Sequence, residues 1–125
     1  MPLLELIDIE THQGNFTLRV PHLSIEAGRL YTLHGKNGAG KSTLLRLLAL
    51  LKEPTKGQMS LAGEAICWRK NQLKQLRRQI TLLEQTPMLF TGSVKKNLAF
   101  GLKLRGFSGS RLQRKIDYAL AACRA

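Results

Sequence analysis

No stretch of this chain is apolar for long enough to cross a bilayer. The longest nearly apolar run, Leu44 to Leu51, holds eight residues and contains Arg46, whereas a spanning helix needs about 20. The opening, Met1-Pro2-Leu3-Leu4-Glu5, lacks a basic segment followed by an apolar one, so no secretory leader is expected and the reading is cytosolic. Cysteine is scarce: Cys67 and Cys123 form no CxxC pair and read as reduced thiols. Three histidines, His12, His22 and His34, stand in no ligand spacing with them, so no zinc site is expected. Acid is also short, with 8 Asp/Glu against 20 Lys/Arg and a net charge of +12. The imbalance is local. Residues 1–65 hold seven basic and six acidic residues, while residues 66–125 hold thirteen and two. Such a half suits an anionic lipid surface, an acidic partner or nucleic acid. Aromatics make up only 6%, and without aromatic interleaving direct nucleic-acid binding is disfavoured.

What is present centres on Gly35-Lys36-Asn37-Gly38-Ala39-Gly40-Lys41-Ser42, set between the strand-like run Leu30-Tyr31-Thr32-Leu33 and a helix-like run, Thr43 to Leu51. A triphosphate needs many donors and no bulk. Gly35, Gly38 and Gly40 are the positions expected to turn backbone N–H groups inward at positive φ, making a nest that the helix N-terminus continues. Lys41 is expected to reach the β- and γ-phosphates. The Ser42 hydroxyl stands where Mg²⁺ is ligated, and Thr43 supplies a second hydroxyl near the α- or β-phosphate.

At 125 residues, 43% apolar and 22% charged, the chain reads as one globular domain at most. Leu3–Glu10 alternates loosely as a strand, a polar turn follows over Thr11–Asn15, and Phe16, Leu18 and Val20 share one face of a second strand. The loop helix is expected to stop near Lys52, ahead of Pro54 and Gly57. Then come a short strand at Gln58–Leu61, a Gly63 turn, and a basic helix at Asn71–Arg78 with Leu73 and Leu76 inward and Lys74, Arg77 and Arg78 outward. An apolar strand is expected at Ile80–Leu83. Ser93 caps a helix running to about Phe100 with Gly101 at its end, and the last helix begins near Ser110 with Leu112, Ile116, Leu120 and Cys123 at helical spacing. Phe16 and Tyr31 read as core. The fold class is α/β, a phosphate-loop core with a small antiparallel β part ahead of it. The expected divisions are 1–28 for the β part, 29–85 for the core and 86–125 for the start of a helical subdomain.

A second stretch narrows the class. Thr81-Leu82-Leu83-Glu84-Gln85-Thr86-Pro87-Met88-Leu89-Phe90, followed by Ser93-Val94-Lys95-Lys96-Asn97-Leu98, resembles the Q-loop region of ATP-binding cassette (ABC) ATPases. With the GxxGxGKST loop, the likeness covers essentially the whole chain as the N-terminal half of a transporter nucleotide-binding subunit. The resemblance implies that ATP and Mg²⁺ are cofactors, with Gly35 to Thr43 on the nucleotide. It also implies that Gln85 approaches Mg²⁺ and the attacking water, so that Lys41 and Gln85 are the catalytic pair and Ser42 and Gln85 the metal pair. His12 falls at about the place where the family stacks Tyr or Trp on adenine, a plain turn histidine being the alternative. Partners implied are membrane permease subunits and a second ATP-binding subunit in a homodimer, at the inner face of the membrane. Nucleic acid is not among them.

Some of the family's parts do not appear. Phe107-Ser108-Gly109-Ser110-Arg111-Leu112-Gln113-Arg114 imitates the LSGGQ signature. Yet it follows Gln85 too closely and has Ser110 and Arg111 where glycine and glutamine belong, so it reads as a loop with a serine capping the last helix. No apolar strand ending in Asp-Glu follows the loop, and no histidine follows His34. In the family that missing strand lies beside the strand carrying the phosphate loop, so unpaired edges and exposed apolar faces are expected. The expectation is a truncated domain of an ABC import ATPase subunit, with two alternatives: a non-hydrolysing ATP-binding fragment, or an ABC-type ATPase acting on nucleic acid.

Overall fold

The computed structural model describes residues 1–123, in two compact units, Met1–Leu83 and the stretch from Glu84 onward. In the first unit, β1 (Leu4–Gln13) and β2 (Phe16–Ile25) form an antiparallel hairpin. The two residues between them, Gly14 and Asn15, close it, with Gly14 at φ 58°. The polar turn is thus two residues long, and the strand extends through Thr11 and His12. β3 (Lys56–Leu61) pairs with the other edge of β1, and the two-residue β4 (Glu64–Ala65) closes the order β2-β1-β3-β4.

The loose alternation of β1 has a structural cause. Between Ile7 and Glu10 the β1–β3 register shifts, with Asp8 at φ 51°. One extra residue on β1 changes which side chains face inward. Leu4 and Leu6 are buried before the shift, Ile9 and Thr11 after it, while Ile7 lies outside. Gly57, at φ 97°, permits the close approach, since a Cβ there would stand 2.4 Å from the Asp8 carbonyl oxygen.

α1 (Lys41–Leu48) lays Leu47 against this sheet. It ends earlier than the Lys52 boundary because Leu50 takes φ 60°. Leu50 N–H donates to Leu47 O (3.0 Å) and Leu51 N–H to Arg46 O (2.9 Å), the two bonds of a Schellman end with leucine where glycine is usual. Leu50 is fully buried with Leu6, Ile9, Met59 and Leu73, and that burial offsets its backbone strain. α2 (Lys70–Arg77) supplies Leu73 to the core, with Leu76 packed beside it. Arg77 is not simply outward, because its Nε donates to Leu50 O at 2.7 Å.

Two expected strands do not form. Leu30–Leu33 and Ile80–Leu83 have no strand pairing; Leu30 is 95% and Leu83 86% exposed. Both runs have strand-forming residues, but β-structure requires a neighbour to accept its ladder bonds, and neither run pairs with β1–β4. Tyr31, expected in the core, is exposed, and its hydroxyl accepts the Glu26 N–H at 2.8 Å.

In the second unit, α3 (Val94–Leu104) and α4 (Gly109–Ala122) pack together. Ser93 Oγ accepts Lys96 N–H at 3.1 Å, capping α3. The helix runs through Gly101 and stops at Gly106, which takes φ 90°. Phe107 N–H then reaches back to Leu102 O (3.1 Å) and Gly106 N–H to Lys103 O (3.0 Å). Ser108 occupies the N-cap of α4 without a side-chain cap bond, so the expected serine cap is not made. Of the apolar row on α4, Ile116 is buried, Leu112 and Leu120 are partly so, and Cys123 is exposed.

Candidate nucleotide site

The segment ahead of α1 turns tightly: Ala39 N–H donates to Lys36 O at 3.1 Å, and Gly38 and Gly40 sit at φ 84° and 99°. Gly35 does not adopt positive φ, so two of the three expected glycines make the turn and the third serves by its carbonyl. Lys41 Nζ donates to Gly35 O, which folds the side chain back along the loop. Gly40 is the N-cap of α1, with Leu44 N–H on its carbonyl at 2.9 Å. Having no side chain to accept, it leaves the first-turn amides directed at whatever occupies the loop, where the positive end of the helix favours an anion.

These groups border an open pocket of about 410 Å³ lined by Asn37, Gly38, Gly40, Lys41, Ser42 and Thr43 on the loop side and by Gln13 and Phe16 from the β1–β2 turn. A Cβ at Gly40 would stand 2.9 Å from the Phe16 ring and 3.1 Å from Leu18 Cδ1. The ring therefore approaches the loop backbone more closely than any side-chain residue at position 40 would allow. Thr43 is buried, and its Oγ1 donates to Gln13 Oε1 at 3.0 Å. Its hydroxyl is thus committed to the hairpin turn, whereas Ser42 is exposed on the pocket.

Of the sequence-predicted residues, Asn37, Gly38, Gly40, Lys41, Ser42 and Thr43 come together; Gly35, Lys36 and Ala39 shape the loop without lining the pocket. His12 lies outside the lining. Its Nδ1 is 2.9 Å from Thr17 Oγ1 and its Nε2 3.2 Å from Glu10 Oε1. Gln13, which does line the pocket, was not singled out by sequence, and Phe16, expected in the core, is half-buried and lines it too; the available signal was their place on either side of the Gly14-Asn15 turn. Gln85 belongs to the second unit and is exposed at a bend. Beyond it, Met88, Leu89 and Phe90 are 83%, 75% and 50% exposed. The Asn97 amide holds that segment: Nδ2 donates to Phe90 O and to Ser93 O, both at 3.0 Å, and Oδ1 accepts Phe90 N–H at 2.8 Å.

A glycine turn leading into a helix N-terminus, with a lysine and a hydroxyl at its rim, defines a phosphate-binding loop of the nucleotide-binding class. The comparisons with known proteins narrow this. Residues 18–124 match the family model described as ABC transporter, and the chain belongs to that family. It is similar to the spermidine/putrescine import ATP-binding protein PotA of Nitrosomonas europaea, at 37% identity over 96% of this chain and 33% of that protein. It is also similar to the Fe(3+) ions import ATP-binding protein FbpC of Escherichia coli O157:H7, at 38% identity over 80% of this chain and 28% of that protein. The chain thus spans about a third of the length of these relatives. In structure it resembles cbiO1 of Clostridium perfringens, with a TM-score of 0.80 and 24% identity, covering 96% of this chain and 49% of that one. A second likeness is to an ATP-binding cassette in a post-hydrolysis state bound to ADP and Pi, with a TM-score of 0.76 and 19% identity, covering 94% and 56%. The fold is accordingly part of an ABC ATPase domain, the α/β phosphate-loop class with its small antiparallel sheet.

Proposed function

We propose that this chain is the nucleotide-holding portion of an ABC import ATPase subunit. The observation that carries this is the loop itself: Gly38 and Gly40 at positive φ, Lys41 folded along the loop and the first turn of α1 facing one pocket. The phosphates of ATP fit the loop, where Lys41 would leave the Gly35 carbonyl for the β- and γ-phosphates. Mg²⁺ fits too, because Ser42 offers one hydroxyl, and this ion takes few protein ligands and completes its shell with phosphate oxygens and water. When bound, it supplies charge neutralisation on the phosphates. Phe16 stands at the pocket wall as an aromatic available to the base, with His12 nearer the edge of the same hairpin.

Gln85 supplies an amide for water and metal in the complete catalytic arrangement, and the exposed Met88–Phe90 segment offers an apolar surface to a membrane permease at the inner face of the membrane. A second ATP-binding subunit completes the assembly as a homodimer. No helix among the described residues is long and apolar enough to cross a membrane. The pocket lining holds no carboxylate; activation of water therefore falls to groups outside it. A specific second reading follows, that this stretch binds ATP without turning it over. Measuring MgATP affinity and phosphate release on wild type and Lys41→Ala tests both. Binding weakened by about 100-fold in the variant, as expected for loss of a charge-assisted phosphate contact, supports the proposal. Equal affinity in the two proteins refutes it, and binding without phosphate release selects the second reading.

A further inference from the structure

In the second unit, α4 gathers cations on one face. Arg111, Arg114, Lys115 and Tyr118 line an open pocket of about 420 Å³, their spacing of three, four and seven placing them along one side of the helix. Arg111 Cζ lies 5.1 Å and Lys115 Nζ 5.4 Å from the centre of the Phe107 ring. One ring thus draws two like charges together. Arg114 Nε reaches the Ser110 carbonyl at 3.4 Å, directing its guanidinium along the same face. None of the three cations takes part in an ion pair among the described residues. The one acid on the helix, Asp117, accepts from Gln113 Nε2 at 2.9 Å.

Like charges three and four residues apart on a helix repel, and among the described residues no ion pair to a carboxylate relieves them. Two guanidinium forks, an ammonium and a phenol present donors almost exclusively, and guanidinium groups match the spacing of phosphate oxygens. We propose that Arg111, Arg114, Lys115 and Tyr118 form a second anion site that takes a phosphate group and shares no residue with the nucleotide pocket. The phosphate belongs either to an anionic lipid headgroup or to a soluble polyphosphate. Phe107 pre-gathers the cations, and the phosphate removes their mutual repulsion.

The test uses the whole 125-residue chain. Pyrophosphate is titrated while backbone amide resonances are followed, so that movement at residues 107–118 is distinguished from movement at the phosphate loop. In parallel, sedimentation with phosphatidylglycerol-containing vesicles is compared with phosphatidylcholine vesicles alone. Saturable shifts at Arg111–Tyr118 support a soluble source, and retention only on phosphatidylglycerol supports a lipid source. In either case Arg111→Gln/Lys115→Gln weakens binding about tenfold or more, while Lys95→Gln/Lys103→Gln on α3, with the same charge removed, leaves it within about twofold. Tyr118→Phe, which keeps the ring, gives a smaller loss and remains informative if the double variant loses helix. Absence of binding to both probes overturns the proposal, as does equal weakening by the α3 and α4 pairs, which marks diffuse charge only.

Discussion

Replacing Gly40 by alanine sets two costs against each other that the structure allows to be separated. The first is conformational: at φ 99° and ψ 15° a side-chain residue sits in a sparsely populated region, at about 1–3 kcal/mol. The second is steric. The new Cβ would stand 2.9 Å from two carbons of the Phe16 ring and 3.1 Å from Leu18 Cδ1, an overpacking of about 1–3 kcal/mol. Gly38, at φ 84°, has nothing within 4 Å of its Cβ position, so Gly38→Ala meets the first cost alone. Gly40→Ala is therefore expected to destabilise by about 2–6 kcal/mol and Gly38→Ala by about 1–3, read from urea unfolding with the m-value checked for constancy. The cycle with Phe16→Ala isolates the steric part. With the ring gone, Gly40→Ala should lose about 1 kcal/mol or more of its penalty. Equal effects at Gly38 and Gly40, with no relief from Phe16→Ala, would refute the idea that ring and loop backbone define each other's position.

Leu50 reverses the ordinary order of truncations. Leu50→Ala should cost about 2–5 kcal/mol for the buried side chain, and Leu50→Gly no more than that, because relief at φ 60° returns about 1 kcal/mol; thermal denaturation of both variants checks the order. Asn97→Ala removes three bonds around Phe90 and Ser93. Since the site is exposed, the expected effect is local, with hydrogen exchange at the Phe90 amide about tenfold faster or more and little change in the first unit.

The parts legible in the sequence were those set by local chemistry. The Gly35–Ser42 loop and the Ser93 cap each depend on residues within a turn or two of one another, and the helical spacing within α2 marks Leu73 as its inward residue. Long-range geometry was less legible. The bulge at Asp8 arises only because Gly57 on β3 can approach it, and no pattern within β1 alone announces that partner. The end of α1 at Leu50 was hidden because leucine in the left-handed region is tolerated only when a core waits for its side chain. Gly101 and Gly106 are both glycines near a helix end, but only Gly106 is followed by a residue, Phe107, whose N–H closes back onto Leu102. Leu30–Leu33 and Ile80–Leu83 show the opposite failure. Their composition favours strands, yet propensity does not supply a pairing neighbour. In the site, Thr43 was assigned to phosphate from its order in the motif, while its hydroxyl is bonded to Gln13 across the hairpin.

The most direct test of the central claim is residue-resolved: backbone amide shifts of the full chain on adding MgATP. The expected result is saturable movement concentrated at Gly38, Gly40, Lys41, Ser42 and Thr43, with Gln13 and Phe16 following and the pattern abolished by Lys41→Ala. Saturable shifts that bypass the loop and the first turn of α1, or that persist unchanged in Lys41→Ala, would contradict it.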